Sequence, residues 1–272
     1  MTLPQAVEPL DRRHVLALAR ACALIESPDF ASKLSDYAGQ PMRRALALIP
    51  DGARRRLNAI VEAAVLQCLT IAVRSLDRDP RRRPSSQSAA VLAGISGGVS
   101  GFVGLAALPL ELPITTTLIL RAIADIARFH GEDLLKLEAR LACVEVLGLG
   151  GQRAEAKAGF GYYASRAMFA RLVGDASSLI VERGVAGATA PVLTGLAAEI
   201  APRYGVVVAE RAAASAVPVL GALGGASVNL LFMKHFQRIA HGHFTVRRLE
   251  RRYGAAAVRS QYQDLAAGRA IA

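Results

Sequence analysis

Apolar residues recur three and four apart over residues 14–26 and 53–76, which predicts two amphipathic helices. The strings SPDF, GQP and IPDG punctuate the chain between them. From residue 89 the pattern changes. Residues 89–110 (AAVLAGISGGVSGFVGLAALPL) and 212–233 (AAASAVPVLGALGGASVNLLFM) are each 22 residues long and uncharged, a length that crosses a bilayer. Only nine residues of each run are strongly apolar. They supply roughly −3 to −5 kcal/mol towards insertion, and the glycines, serines and prolines offset part of that. In the first run Gly94, Gly98, Gly101 and Gly104 recur at spacings of three and four, so small residues line one helix face and neighbouring helices approach closely. The pattern therefore predicts two Gly/Ala-rich apolar helices packed closely within a soluble or peripheral core, with an integral membrane hairpin as the alternative.

The segment DRDPRRRPSSQS, residues 77–88, holds two prolines, four arginines and three serines and reads as a linker. It divides an N-terminal helical portion (1–76) from a helical core (89–256), which a C-terminal tail (257–272) follows. Alanine, leucine and arginine dominate, tryptophan is absent and aromatics are 5%. That balance favours helix over sheet, so the expected class is all-α, a compact helical bundle. Cys22, Cys68 and Cys143 are far apart and odd in number, which fits buried thiols rather than a disulfide framework or a zinc site. Glu8 and Asp11 precede the first apolar run, unlike the basic start of an export signal, and a cytoplasmic location is expected.

The stretch LPLELPITTTLILRAIADIARFHGEDL, residues 108–134, sets polar groups in an apolar segment. Pro113 suits the first turn of a helix from about Ile114 to Phe129, which HGED ends. At 100° per residue Thr117, Arg121, Asp125 and Arg128 share one stripe, with Arg121 and Asp125 four apart and Asp125 and Arg128 three apart. In a largely buried helix such charges need partners, so internal pairing is the expected arrangement. The alternative is a polar cleft that holds an anionic ligand through Arg121, with Glu111, Thr117, Asp125, Arg128 and His235 as further candidates.

The formal charge of +11 changes the picture only through its distribution: residues 89–233 carry 11 basic and 11 acidic groups, so the whole surplus lies in the flanks. Arg81, Arg82 and Arg83 precede the first uncharged run, and Lys234 follows the second. In HFTVRRLERRYG, residues 243–254, Arg247, Arg248, Arg251 and Arg252 recur at helical spacing beside Phe244, Leu249 and Tyr253. A basic amphipathic helix of this kind suits an anionic membrane surface. Nucleic acid is disfavoured as partner because no helix-turn-helix, ribonucleoprotein or zinc motif accompanies the arginines.

Catalytic motifs are few. GISGG around Ser96 fits GxSxG in letters but lacks a preceding strand. GLGGQ, residues 148–152, reads as a helix C-terminal break rather than a phosphate loop, because Arg153 stands where a further glycine is required. Metal binding near His235, His241 and His243 would need a third converging ligand, Glu250 or a residue of the Asp125 stripe. His241 and His243 are expected to flank Gly242 at a helix end. No cofactor, metal site or catalytic set is assigned.

The strings GLAALPLELPITTTLILRAIADIARFHGEDL, EARLACVEVLGLGG, GYYASRAMFAR and AVPVLGALGGASVNLLFMKHFQRIAHGHFTVRRLERRYG resemble the EcsC family of bacterial proteins over about Gly94 to Tyr253. The family is named for a protein encoded beside the two subunits of an ABC transporter, and the resemblance brings no catalytic residues with it. With no convergent catalytic set and a basic amphipathic helix beside uncharged runs, the expected role is a non-catalytic, membrane-associated accessory protein at the inner face of the cell membrane. Its partner would be an anionic membrane surface or a membrane protein such as an ABC transporter. The alternative is an enzyme or anionic-ligand-binding protein that uses the cleft around Arg121 and Asp125.

Overall fold

Asp11 opens the first helix by accepting the Arg13 backbone N–H at 3.4 Å, which satisfies one of the donors a helix start leaves bare. The computed structural model describes residues 10–27, 51–74, 108–151, 160–215 and 225–268. Seven helices are found there and no strand: α1 (Arg12–Ile25), α2 (Asp51–Arg74), α3 (Leu108–Phe129), α4 (Leu137–Gly150), α5 (Phe160–Ser215), α6 (Gly225–Tyr253) and α7 (Ala255–Ala266). The protein is an all-α bundle. The linker 77–88 with Arg81, Arg82 and Arg83, Ser96, the glycines of the first uncharged run and the middle of the second lie outside the described residues.

The first two helices follow their apolar spacing. Val15, Leu18, Ala21 and Cys22 of α1 are buried, as are Leu57, Val61, Ala64, Val65, Cys68 and Leu69 of α2, each set spaced to cover one helix face. Both belong to the same buried cluster as α3 to α7. The three cysteines are free and buried, and burial pushes the thiols of Cys22 and Cys68 up to about 11.

α3 begins six residues before the expected Ile114. Pro109 already occupies the opening turn, where a missing N–H costs nothing. Pro113 follows one turn later and removes only the bond to the carbonyl of residue 109. The helix ends in a Schellman motif: Glu132 N–H donates to Ala127 O at 3.0 Å and Gly131 N–H to Arg128 O at 2.9 Å. Gly131 takes φ 80°, a left-handed conformation that favours glycine.

α4 is the central helix, buried on every side from Leu141 to Gly150, and it packs against α2, α3, α5 and α6. Its glycines are the reason neighbours come so close. A Cβ on Gly148 would lie 2.6 Å from the Phe169 ring, one on Gly150 would overlap the Phe236 ring, and one on Gly151 would overlap the Arg203 carbonyl. GLGG therefore ends α4 and is also the contact surface for α5 and α6. Within α5, Arg203 Nη2 is 3.6 Å from Met168 Sδ. A straight helix would hold residues 35 apart at about 50 Å, so α5 bends back on itself between them.

α1 lies across α6 and α7. Gly242 faces it, with Ile25 Cγ1 at 2.7 Å and Ala21 O at 3.0 Å from the place a Cβ would take. The AHGH string is thus the interior of a continuous α6 and not its end, which corrects the expectation for His241 and His243. α3 and α6 run parallel. At their starts the Glu111–Arg211 ion pair and the Arg211 guanidinium over Phe232 tie both helices to α5. At their ends Arg247 and Arg251 of α6 bind Glu132 just after α3.

Candidate functional site

The polar stripe of α3 faces outward. Thr117, Arg121 and Arg128 are exposed, and Asp125 is half-buried. Arg128 Nη1 donates to Asp125 Oδ1 at 3.0 Å, one of the two pairings the spacing predicts. The pair expected inside the fold between Arg121 and Asp125 is not formed as such: Arg121 is solvent-exposed and reaches Asp125 only as a nearby charge. Burial raises the Asp125 carboxyl above its ordinary value, and Arg128 and Arg121 offset part of that. The other cleft candidates lie elsewhere. Glu111, near the start of α3, binds Arg211. His235 donates through Nε2 to Gly150 O at 2.8 Å. Fourteen helical residues, about 21 Å, separate Glu111 from Asp125, so the six candidates do not line one cleft.

A buried polar network missed in the sequence joins α5, α6 and α7. Arg166 grips Glu250 with both guanidinium nitrogens, Nη1 to Oε1 at 2.7 Å and Nη2 to Oε2 at 2.8 Å. Tyr163 donates to the same Oε1 at 3.2 Å. The guanidinium also lies over the rings of Tyr162 and Tyr163. Tyr162 Oη is 3.1 Å from His243 Nδ1, and Tyr162 stacks on Tyr262, whose hydroxyl donates to Glu26 at 2.9 Å. Beside this network sits Glu145 of α4, buried, with Oε1 free of hydrogen bonds, as is His243 Nε2. Burial pushes the Glu145 carboxyl up to about 7 against the pull of Arg166 and Arg247, and burial with the same arginines keeps His243 neutral. The signal for Glu145 was in the sequence: it is the one charge in LACVEVLGLG.

The expected basic surface divides in two. Arg247 is half-buried and binds Glu132 through Nε at 2.8 Å and Nη2 at 3.2 Å. Arg251 binds the same carboxylate and donates to His130 O at 2.8 Å. Burial alone would raise the Glu132 carboxyl, yet the bonds and charges of Arg247 and Arg251 outweigh it and hold it below its ordinary value. Arg248 and Arg252 remain exposed on the outer face of α6, and Arg248 is near enough to His130 to depress its basicity. The loop held by this clamp is flanked by two exposed large apolar residues, Phe129 at 77% and Leu135 at 56%. Among the described residues around them, Arg128, Lys136, Arg248 and Arg251 are exposed, against the exposed acids Asp133 and Glu138.

The EcsC protein family profile matches residues 26–249, most of the chain. The chain belongs to the EcsC protein family. The EcsC match starts well before the strings that carry the sequence resemblance and takes in all of α2, whose residues share the core of the later helices. It ends at residue 249, inside α6, and so covers the Glu132–Arg247 contact. No curated protein and no solved structure matches this EcsC chain. Among the described residues, no helix is long and apolar enough to cross a membrane, and no group of three or more metal-ligating side chains is found.

Proposed function

We propose that this EcsC family member is a non-catalytic accessory protein that docks peripherally on an anionic membrane surface at the inner face of the cell membrane. There it would work beside a membrane protein, and the family's naming suggests an ABC transporter. The observation that carries the reading is the corner where α3 and α6 end. Phe129 and Leu135 project into solvent there, amid a surplus of exposed arginine and lysine. Exposed aromatic and aliphatic side chains ringed by basic groups are the combination that binds anionic lipid through apolar burial and charge together.

The test is co-sedimentation of the purified full chain with vesicles of phosphatidylcholine alone or with added phosphatidylglycerol. Each basic residue near such a surface contributes about 1 kcal/mol, so Arg248→Gln with Arg252→Gln should weaken binding about thirtyfold. Phe129→Ser with Leu135→Ser should leave binding that salt removes completely, because the apolar part is gone. No sedimentation of the wild type with anionic vesicles at low salt would sink the proposal.

A further inference from the structure

Glu132 presents an arrangement that charge alone does not explain. It is the residue after Gly131 in the Schellman motif that closes α3. Its carboxylate is almost wholly buried, 5% exposed, and receives Arg247 twice and Arg251 once. Arg251 also reaches the His130 carbonyl, so it holds the loop by backbone as well as by side chain. Further along, Asp133 Oδ1 accepts the Leu135 N–H at 3.0 Å and Asp133 O accepts the Lys136 N–H at 3.0 Å. Arg140 Nε donates to Leu134 O. The loop between α3 and α4 is therefore fixed from both ends, and Phe129 and Leu135 flank its fixed part. A loop held in its binding conformation loses less conformational entropy when it docks.

We infer that Glu132 is a positioning residue for membrane docking: by clamping Arg247 and Arg251 it holds the α3–α4 loop so that Phe129 and Leu135 meet an anionic bilayer together. The inference rests on the membrane reading proposed above. It makes a prediction opposite in sign to simple electrostatics. Glu132→Gln removes a negative charge from a basic corner, which by charge alone should tighten binding to anionic vesicles, up to about fivefold. If the clamp positions the loop, the same change weakens binding about tenfold or more.

Arg251→Lys provides a second variant at constant charge, since lysine cannot reproduce the forked contact to a carboxylate and a carbonyl. The Arg251 side chain is 43% exposed and outside the hydrophobic core, so this change spares the core. Binding should fall several-fold, whereas a purely electrostatic surface would be unmoved. The chain has no tryptophan, so Leu135→Trp supplies a sole tryptophan whose emission can be excited apart from the tyrosines. Its blue shift on phosphatidylglycerol vesicles should be present in the single variant and diminished when Glu132→Gln is added. Hydrogen exchange at residues 130–136 in the absence of lipid should be faster in both clamp variants. Unchanged or tighter binding of Glu132→Gln and Arg251→Lys, with a wild type that does bind, would overturn the positioning role and leave the membrane reading standing. A wild type that binds no anionic vesicle overturns both.

Discussion

Removing one partner of the Arg166–Glu250 pair should be among the most damaging single changes in the molecule. The side chains are 16% and 12% exposed, the contact is bidentate, and Tyr163 adds a third bond to the carboxylate. Glu250→Leu would leave a guanidinium stranded against two tyrosine rings with no hydrogen-bonded carboxylate, a situation that costs about 3–5 kcal/mol. Arg166→Met would strand the carboxylate with only the Tyr163 hydroxyl for company, at a similar cost. Replacing both removes both stranded charges, so the double variant should be far less destabilised than the sum, with a coupling of about 2 kcal/mol or more. The half-exposed Arg203–Glu199 pair, four apart on α5, is the internal control and should contribute at most about 1 kcal/mol. Urea unfolding followed by helical circular dichroism measures all of these, read from midpoint shifts at constant slope. Small, additive losses for Arg166 and Glu250 would show that water reaches the pair and that the reasoning from burial is wrong.

The pH dependence of Glu145 is a second prediction. Its folded carboxyl titrates at about 7, above the ordinary value of 4.5, so between those two values the folded state holds the proton that the unfolded state has released. Stability from this group is therefore fully present below about 4.5 and lost as pH rises towards 7. The buried, neutral His243 acts in the opposite direction, so the quantity to measure is the difference between wild type and Glu145→Gln. The variant should gain on the wild type by a few kcal/mol across that window, and a pH-independent difference would refute the assignment. Gly242→Ala should detach α1 by overlap with Ile25 and the Ala21 carbonyl, costing about 1–3 kcal/mol, seen as faster hydrogen exchange over Arg12–Ile25. Gly151→Ala should cost more than Gly148→Ala, because its Cβ meets the Arg203 backbone while that of Gly148 meets a side chain that can turn. Equal thermal shifts would count against that ranking.

The local parts of this fold were legible. Apolar residues at three- and four-residue spacing place α1 and α2 within two residues of their observed bounds, and HGED does end α3. Counting apolar residues around a helical wheel finds the buried Ile119, Ile123, Ile126 and Ala127 of α3 but does not register its threonines. Ile114 and Phe129 are exposed while Thr115 and Thr116 are buried, Thr116 donating to Leu112 O at 2.7 Å and lying 2.9 Å from Tyr204 Oη. Thr116 satisfies its hydroxyl on its own backbone and so enters the core cheaply, and hydropathy does not register that. Arg128, three from Asp125, takes its carboxylate, so the exposed Arg121 is left to solvent. The networks that unite the bundle were beyond local pattern. Arg166 and Glu250 are 84 residues apart, and Glu132 and Arg247 are 115 apart. Nothing in either flank marks the partner.

The glycines link the fold to the membrane question. Small residues at helical spacing read equally as a device for packing helices in lipid or in a protein core, and the sequence contains both GLGG and AHGH. In the structure Gly148, Gly150, Gly151 and Gly242 all seat helix against helix, with Phe169, Phe236, the Arg203 backbone and Ile25 in the space a Cβ would occupy. At these four positions, then, the missing side chain serves internal contact. Exposed apolar surface is supplied instead by large residues, Phe129 and Leu135 at the arginine-rich corner and Ile114 and Leu230 elsewhere. Glycines that packed in lipid would face outward. These four face inward, and the candidate lipid contact is an aromatic and a leucine beside a buried glutamate. The division predicts that glycine-to-alanine changes in α4 and α6 lower the unfolding midpoint without altering vesicle affinity of the folded chain. Phe129→Ser and Leu135→Ser should do the reverse. Paired measurement of melting and sedimentation on the same variants tests it, and a glycine variant that stays folded but loses vesicle binding would break the separation.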